Sequence, residues 1–79
     1  MRDIQREVFE ILTYCLGVGE ISMGSDLIQD LGMDVNVLDE TRDRLETVFG
    51  VGITDEEMYD WVTAGDVVRT IEEIYASGS

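Results

Sequence analysis

The sequence predicts a small all-α protein, a four-helix bundle with a short third helix and a long loop between helices one and two. Three observations lead to this fold class. Apolar residues recur at helical spacing in separate segments. The chain contains no proline, and no alternating strand pattern extends beyond three residues. A length of 79 residues suits one small domain with a thin core, which we assign to residues 1–79.

The first helix is predicted between Asp3 and Leu16. Asp3 is a suitable N-cap, and Gly17 is suited to end the helix in the left-handed conformation. Cys15 lies on the apolar stripe, so we expect its thiol to pack in the interior and not to react. The stripe has the 3, 4, 7 spacing of a helix and contains Ile4, Val8, Ile11, Leu12, Cys15 and Leu16.

Residues 18–33 form a long loop, rich in glycine, that leads into the second helix. Long unstructured loops are uncommon in compact domains, so we expect apolar residues to pack this loop onto the helices. Those residues are Ile21, Leu27, Ile28 and Leu31. The second helix is predicted to begin after Asp34, whose carboxylate can accept from free backbone N–H groups. Its predicted inner face contains Leu38, Thr41, Leu45, Val48 and Phe49.

Two capping boxes mark the last two helices. Thr54-Asp55-Glu56-Glu57 predicts the start of a short third helix, and Thr63-Ala64-Gly65-Asp66 predicts the start of the fourth. The third helix is predicted to contain Met58, Tyr59, Trp61 and Val62, and Trp61 is predicted to fill the core. The stripe of the fourth helix contains Val67, Val68, Ile71, Ile74 and Tyr75, and residues 76–79 are predicted to be frayed.

The charge of the chain restricts its partners. Eighteen acidic residues against five arginines, with no lysine, give a net charge of −13. Nucleic-acid binding is disfavoured because it requires cations that displace counterions from phosphate. A basic protein surface is the expected partner, because complementary fields accelerate association.

The residue types also restrict chemistry and location. Without histidine and with one cysteine, Cys/His metal sites and His-dependent nucleophile systems are excluded. We therefore expect no catalytic residue, no metal site and no enzymatic activity. No apolar run approaches the roughly 20 residues that span a bilayer, and no charged-then-apolar leader opens the chain. We expect a soluble, cytoplasmic monomer.

The motifs resemble those of acyl carrier proteins over nearly the whole chain. Leu16-Gly17-Val18, Asp30-Leu31-Gly32, the two threonine caps, and Phe49 fifteen residues after Asp34 fall at the family's positions. The resemblance implies three longer helices around a short one and an interior that can shelter an acyl chain. It also implies a 4′-phosphopantetheine arm on the serine that follows the motif aspartate.

Position 35 departs from that pattern. Asp34 matches the motif aspartate, but Val35 stands where the resemblance implies the attachment serine. Valine has no hydroxyl from which to form a phosphodiester, so we predict that 4′-phosphopantetheine is not attached here and that the protein carries no cofactor. Ser22, Ser25 and Thr41 carry the nearest hydroxyls, but their predicted places in the loop and on the inner face make another anchor unexpected.

The second helix is also the candidate partner surface. The resemblance implies that Glu40 and Glu46 pair with basic residues of partner enzymes, and we add Asp39 and Asp43 to this set. Asn36, Asp39 and Asp43 stand where many family members have apolar contacts. Because apolar anchors supply most interface energy, docking to the usual enzymes should be weakened.

Three functions follow from these observations. The leading hypothesis is a non-catalytic interaction module linked to lipid or polyketide metabolism. The second is a specialised acyl carrier protein whose physiological form has serine at position 35, with this chain an inactive variant. The third is a protein that binds a hydrophobic ligand non-covalently among its helices.

Overall fold

The computed structural model describes residues 3–77 of the chain. In that range there are four helices, α1 (Ile4–Leu16), α2 (Val35–Phe49), α3 (Asp55–Tyr59) and α4 (Ala64–Ser77), and α1 packs against α2 and α4. The predicted fold class is confirmed. The third helix is shorter than predicted: α3 ends at Tyr59, so Trp61 and Val62 were wrongly placed in it. Ala76 and Ser77 continue α4, and Gly78 and Ser79 lie outside the described range, so the fraying of residues 76–79 stays a prediction.

Aspartates cap the starts of α1 and α2, and glycines in the left-handed conformation end both helices; the two caps and Gly17 were predicted. Asp3 accepts a hydrogen bond from the Arg6 N–H at 3.1 Å, and the extended Asp34 accepts from the Val37 N–H at 2.9 Å. Gly17 ends α1 and Gly50 ends α2, with φ of 68° and 66°.

Reciprocal side-chain bonds begin α3 and α4, as the two predicted capping boxes require. The Thr54 hydroxyl accepts from the Glu57 N–H, and the Glu57 carboxylate accepts from the Thr54 N–H, both at 3.1 Å. At α4 the Asp66 carboxylate accepts from the N–H groups of Val62 and Thr63 at 2.9 and 3.0 Å. The acid three residues after each threonine therefore organises the chain before its helix.

The core draws on all four helices and on the segments between them. The predicted inner face of α2 is confirmed at Thr41, Leu45 and Phe49, whereas Val48 is 43% exposed and was wrongly placed there. Val48 lies at the edge of the apolar stripe, where no element covers it fully. The buried apolar residues are Val8, Ile11, Leu12, Leu27, Leu31, Met33, Leu45, Phe49, Ile53, Met58, Trp61, Ala64, Val67, Val68 and Ile71.

The long loop between α1 and α2 is tied to the segment that joins α3 and α4. Two backbone bonds flank an antiparallel bridge between Asp26 and Thr63: Leu27 N–H to the Val62 carbonyl at 2.9 Å, and Ala64 N–H to the Ser25 carbonyl at 3.0 Å. The sequence offered no signal for this pairing, because the two segments are far apart along the chain. Backbone pairing thus holds the loop where apolar packing alone was expected.

Apolar packing of the loop is confirmed in part. Leu27 and Leu31 are buried, and Ile21 packs against the core. Ile28 is 69% exposed, so the expectation that it packs onto the helices was wrong. The Asp26 side chain accepts from the Ile28 N–H, which fixes this residue in a turn at the surface.

Candidate functional site

The turn that precedes α2 is held by two aspartates. One carboxylate oxygen of Asp26 accepts from the N–H groups of Ile28 and Gln29 at 2.9 and 2.8 Å. The carboxylate of Asp30 accepts in return from the Asp26 N–H at 2.8 Å. These charge-assisted bonds order the turn, so the start of α2 is presented at a fixed place.

Val35 is the first residue of α2, directly after the Asp34 cap. Its side chain is 68% exposed. The structure therefore places position 35, which the sequence resemblance equates with the attachment serine, at an accessible helix end. Two methyl groups stand where a nucleophilic oxygen would be required, so no phosphodiester can form on this side chain.

An apolar cavity of about 250 Å³ opens beside Val35. The N–H of Met33 donates to the carbonyl of Leu27 at 2.8 Å, which holds two of its wall residues together. The cavity exceeds the roughly 150 Å³ of a cavity that holds benzene and is smaller than the roughly 300 Å³ at which small-molecule sites begin. Its lining consists of Leu27, Ile28, Met33, Asp34, Val35, Leu38 and Trp61.

Trp61 forms part of the cavity wall. Its ring is buried, and the indole N–H donates to the Thr70 hydroxyl at 2.9 Å, so its polar edge is satisfied within the fold. The predicted core-filling role is confirmed. Sequence reasoning missed that this ring and Leu38 meet the loop residues beside position 35, because that contact joins distant segments.

The nearest hydroxyls offer no second nucleophile at this place. Ser22 and Ser25 lie in the loop with their hydroxyl oxygens 3.1 Å apart, in a hydrogen bond. Thr41 is fully buried, and in the described part of the chain its hydroxyl has no hydrogen-bond partner. An enzyme could not reach Thr41 in the folded protein.

The predicted partner-binding acids lie along α2, and none of them is part of the cavity lining. Glu40 and Asp43 are exposed and border a shallow depression of about 260 Å³ together with Arg44 and Thr47. Asp39, directly before Glu40, is also exposed. The sequence prediction that these acids contact a partner stays a prediction.

Arg42 partly neutralises this acidic face. Its guanidinium pairs with Asp55 at the start of α3 and lies 3.9 Å from Asp39. The hydrogen bond to Asp55 is the main cause that raises the pKa of Arg42 above its ordinary value. The cation thus joins α2 to α3 instead of projecting freely from the helix.

Glu46 has a structural contact that the sequence did not reveal. Its carboxylate accepts from the Ile53 N–H at 2.8 Å, and the residue is half-buried. This bond ties the end of α2 to the loop before α3. Any partner contact of Glu46 would have to share the carboxylate with that loop.

A groove lies between α1 and α2, and the sequence analysis did not predict it. The Arg44 guanidinium stacks 4.5 Å from the centre of the Tyr14 ring. The surrounding depression of about 230 Å³ is lined by Glu7, Glu10, Ile11, Tyr14, Arg44 and Val48. Both arginines of α2 are thus engaged within the fold.

Over residues 3–77, no three side chains of the metal-binding types lie close enough together to hold an ion. None of the helices described is long and apolar enough to cross a bilayer.

Comparisons with known proteins decide the family. No protein-family model matches the chain. An acyl carrier protein of Helicobacter acinonychis (strain Sheeba) is 34% identical over 71 residues, which cover 90% of this chain and 88% of that protein. The chain belongs to the acyl carrier protein family. An acyl carrier protein of Helicobacter pylori (strain G27) is 35% identical over the same shares of the two chains.

Solved structures agree with this membership. A protein assigned as an acyl carrier protein (Rv0033) from Mycobacterium tuberculosis has a TM-score of 0.86, covering 90% of this chain and 97% of its own, at 22% identity. The hexanoyl acyl carrier protein of the actinorhodin polyketide synthase from Streptomyces coelicolor has a TM-score of 0.66 at 27% identity. The match covers 98% of this chain and 91% of that protein. The chain thus shares the helical fold of these two proteins.

Proposed function

We propose that this chain is an acyl carrier family domain that carries no arm at position 35. It acts as a non-catalytic interaction module for a basic enzyme of lipid or polyketide metabolism in the cytoplasm, and it works as a monomer without a cofactor. The acids Asp39, Glu40, Asp43 and Glu46 are its expected partner contacts.

The observation that carries this proposal is the exposed Val35 at the start of α2. The helix end is capped by Asp34 and the preceding turn is ordered, as presentation of a side chain to an enzyme requires. The side chain presented has no oxygen. An intact scaffold without a nucleophile supports binding as the function in place of acyl transport.

The test is incubation of the purified protein with coenzyme A and a phosphopantetheinyl transferase, followed by intact-mass spectrometry. We expect the mass to stay that of the bare polypeptide. Val35→Ser tests whether the enzyme recognises the rest of the scaffold. Gain of one pantetheine arm by the unaltered chain would refute the proposal.

The same variant separates the interaction module from the inactive-variant hypothesis. If Val35→Ser folds but is charged poorly, the face of α2 has diverged from what carrier enzymes recognise, as the module requires. Efficient charging followed by acyl transfer would favour a specialised carrier whose working form has serine at position 35.

A second candidate function is favoured by the cavity beside Val35. Its apolar lining suits a hydrophobic ligand held without a covalent bond. Trp61, the only tryptophan, forms part of the wall, so its emission should report entry. Titration with hexanol and with hexanoate is the test, and unchanged Trp61 fluorescence with both would count against this function.

A further inference from the structure

Two exposed aliphatic side chains border the mouth of the cavity at the start of α2. Ile28 and Val35 are 69% and 68% exposed, and both line the cavity. Single apolar residues on a surface are ordinary. Here a pair flanks a partly open apolar cavity, the arrangement expected of a surface that receives an apolar group from another molecule.

The walls of this cavity are already in place without a ligand. The turn of residues 26–33 is held by the Asp26 and Asp30 carboxylates, and Asp34 caps the helix. Trp61 is fixed by its bond to Thr70. A partner would not have to order these elements, and the cost of binding is reduced accordingly.

The volume of the cavity suits one side chain. At about 250 Å³ it exceeds the roughly 150 Å³ that accommodates benzene, which is the ring of a phenylalanine. A leucine, methionine or phenylalanine side chain is therefore of suitable size.

The negative charge around the mouth of the cavity favours basic residues next to that apolar side chain. Asp34 lines the cavity, Asp30 lies in the turn between the lining residues Ile28 and Met33, and Asp39 directly follows the lining residue Leu38; all three aspartates are exposed. None of the described lining residues is basic, and Arg42 is paired with Asp55. With a net charge of −13, the surface repels anions and attracts cations.

We propose that this surface, formed by Ile28, Val35, Leu38 and Trp61 around the cavity, binds a peptide segment of a partner protein through one large apolar side chain flanked by arginine or lysine. The inference rests on the proposed interaction function and names its contact surface. An apolar anchor at the centre with charged groups at the rim is the usual division of roles in an interface.

The probes are capped peptides without tryptophan, each with a central leucine or phenylalanine between pairs of arginines. Trp61 fluorescence and methyl NMR shifts of Ile28 and Val35 report binding. A matched peptide with alanine at the centre keeps the charge and removes the anchor. We expect it to bind roughly tenfold more weakly, which corresponds to about 1.4 kcal/mol.

Matched variants locate the contact on the protein. Val35→Asn should weaken the leucine peptide roughly fivefold to tenfold, because it removes exposed apolar surface at the mouth. Val48→Asn makes the same change in the same helix, in the separate groove between α1 and α2, and should leave binding unchanged. Circular dichroism checks that both variants keep the native helix content.

Five results would overturn the inference. The first four are equal binding of the leucine and alanine peptides, no saturable binding of any peptide, equal loss in the two variants, and a dimer in sedimentation that Val35→Asn disrupts and Val48→Asn does not. Entry of hexanol or hexanoate with no peptide binding also overturns it and favours the hydrophobic-ligand function.

The peptide-binding result can be interpreted separately from the incubation with coenzyme A and the phosphopantetheinyl transferase. If the peptides fail while the unaltered chain stays uncharged, this surface is wrong and the proposed function stands. If the chain gains an arm at position 35, the proposed function fails whatever the peptides do.

Discussion

The two ends of α2 differ in how they are held. At the C-terminal end Phe49 is buried edge-on against Tyr75, with ring centroids 6.2 Å apart, and Glu46 binds the N–H of Ile53. At the N-terminal end Val35 projects into solvent beside a cavity. One helix thus has an anchored end that maintains the fold and an open end available for binding.

The largest expected effect comes from truncating the anchored end. Phe49→Ala should lower the free energy of unfolding by about 3–5 kcal/mol, because it leaves a void and removes the ring contact. Val35→Ala, at the open end, should change it by less than about 0.5 kcal/mol. Urea denaturation measures both, and similar losses would remove the distinction between the two ends.

A smaller effect is expected from the carboxylate that ties α2 to the next loop. Glu46→Ala should cost about 1–2 kcal/mol, because the Ile53 N–H loses a charged acceptor. Asp43→Ala, an exposed acid three residues earlier, should stay within about 0.5 kcal/mol of the unaltered protein. Equal costs in urea denaturation would mean that the Ile53 bond contributes nothing.

Between the two ends lies a buried hydroxyl that weakens the helix packing. Thr41→Val should raise the free energy of unfolding by about 1 kcal/mol, because it removes a buried oxygen without a partner in the described chain. Thr47→Val is the control, since the Thr47 hydroxyl is exposed and bonds the Asp43 carbonyl. A destabilised Thr41→Val variant would show that the hydroxyl is satisfied in solution.

The start of α4 provides the smallest contrast with the start of α2. Asp34 accepts one backbone N–H, whereas Asp66 accepts two. Hydrogen bonds from the Val62 and Thr63 N–H groups lower the pKa of Asp66 below its ordinary value of 3.8. Its stabilising contribution is therefore complete above pH 3.8 and is lost as pH falls through the lower pKa of the folded state.

Asp66→Asn tests this contribution. The variant should be less stable at neutral pH by about 0.5–1 kcal/mol, because a neutral amide oxygen accepts more weakly than a carboxylate. Thermal unfolding between neutral pH and pH 2 should show the two proteins converging as Asp66 is protonated. A constant difference across that range would assign the loss to packing.

The ends of most helices are set by hydrogen bonds between residues close together in the chain, and such bonds could be predicted from the sequence. The caps at Asp3, Asp34 and Thr54 act within one helical turn, so their spacing was enough to predict them. The capping bond between Thr63 and Asp66 is equally local.

The open end of α2 was predicted only in part, because it depends on contacts between segments that are distant along the chain. Asp34 and Val35 were identified by position in the motif, but the cavity beside them is formed by the loop, α2 and Trp61 together. The exposure of Ile28 and the bond from Ile53 to Glu46 likewise depend on contacts between separate segments. No periodicity within one helix encodes such contacts.

The most direct test of the central claim is the intact mass of this protein isolated from the cells that produce it. The account predicts the mass of the unmodified polypeptide, because Val35, at the position that the sequence resemblance equates with the attachment serine, offers no oxygen. A mass increased by a pantetheine arm or a thioester-bound acyl group would contradict it.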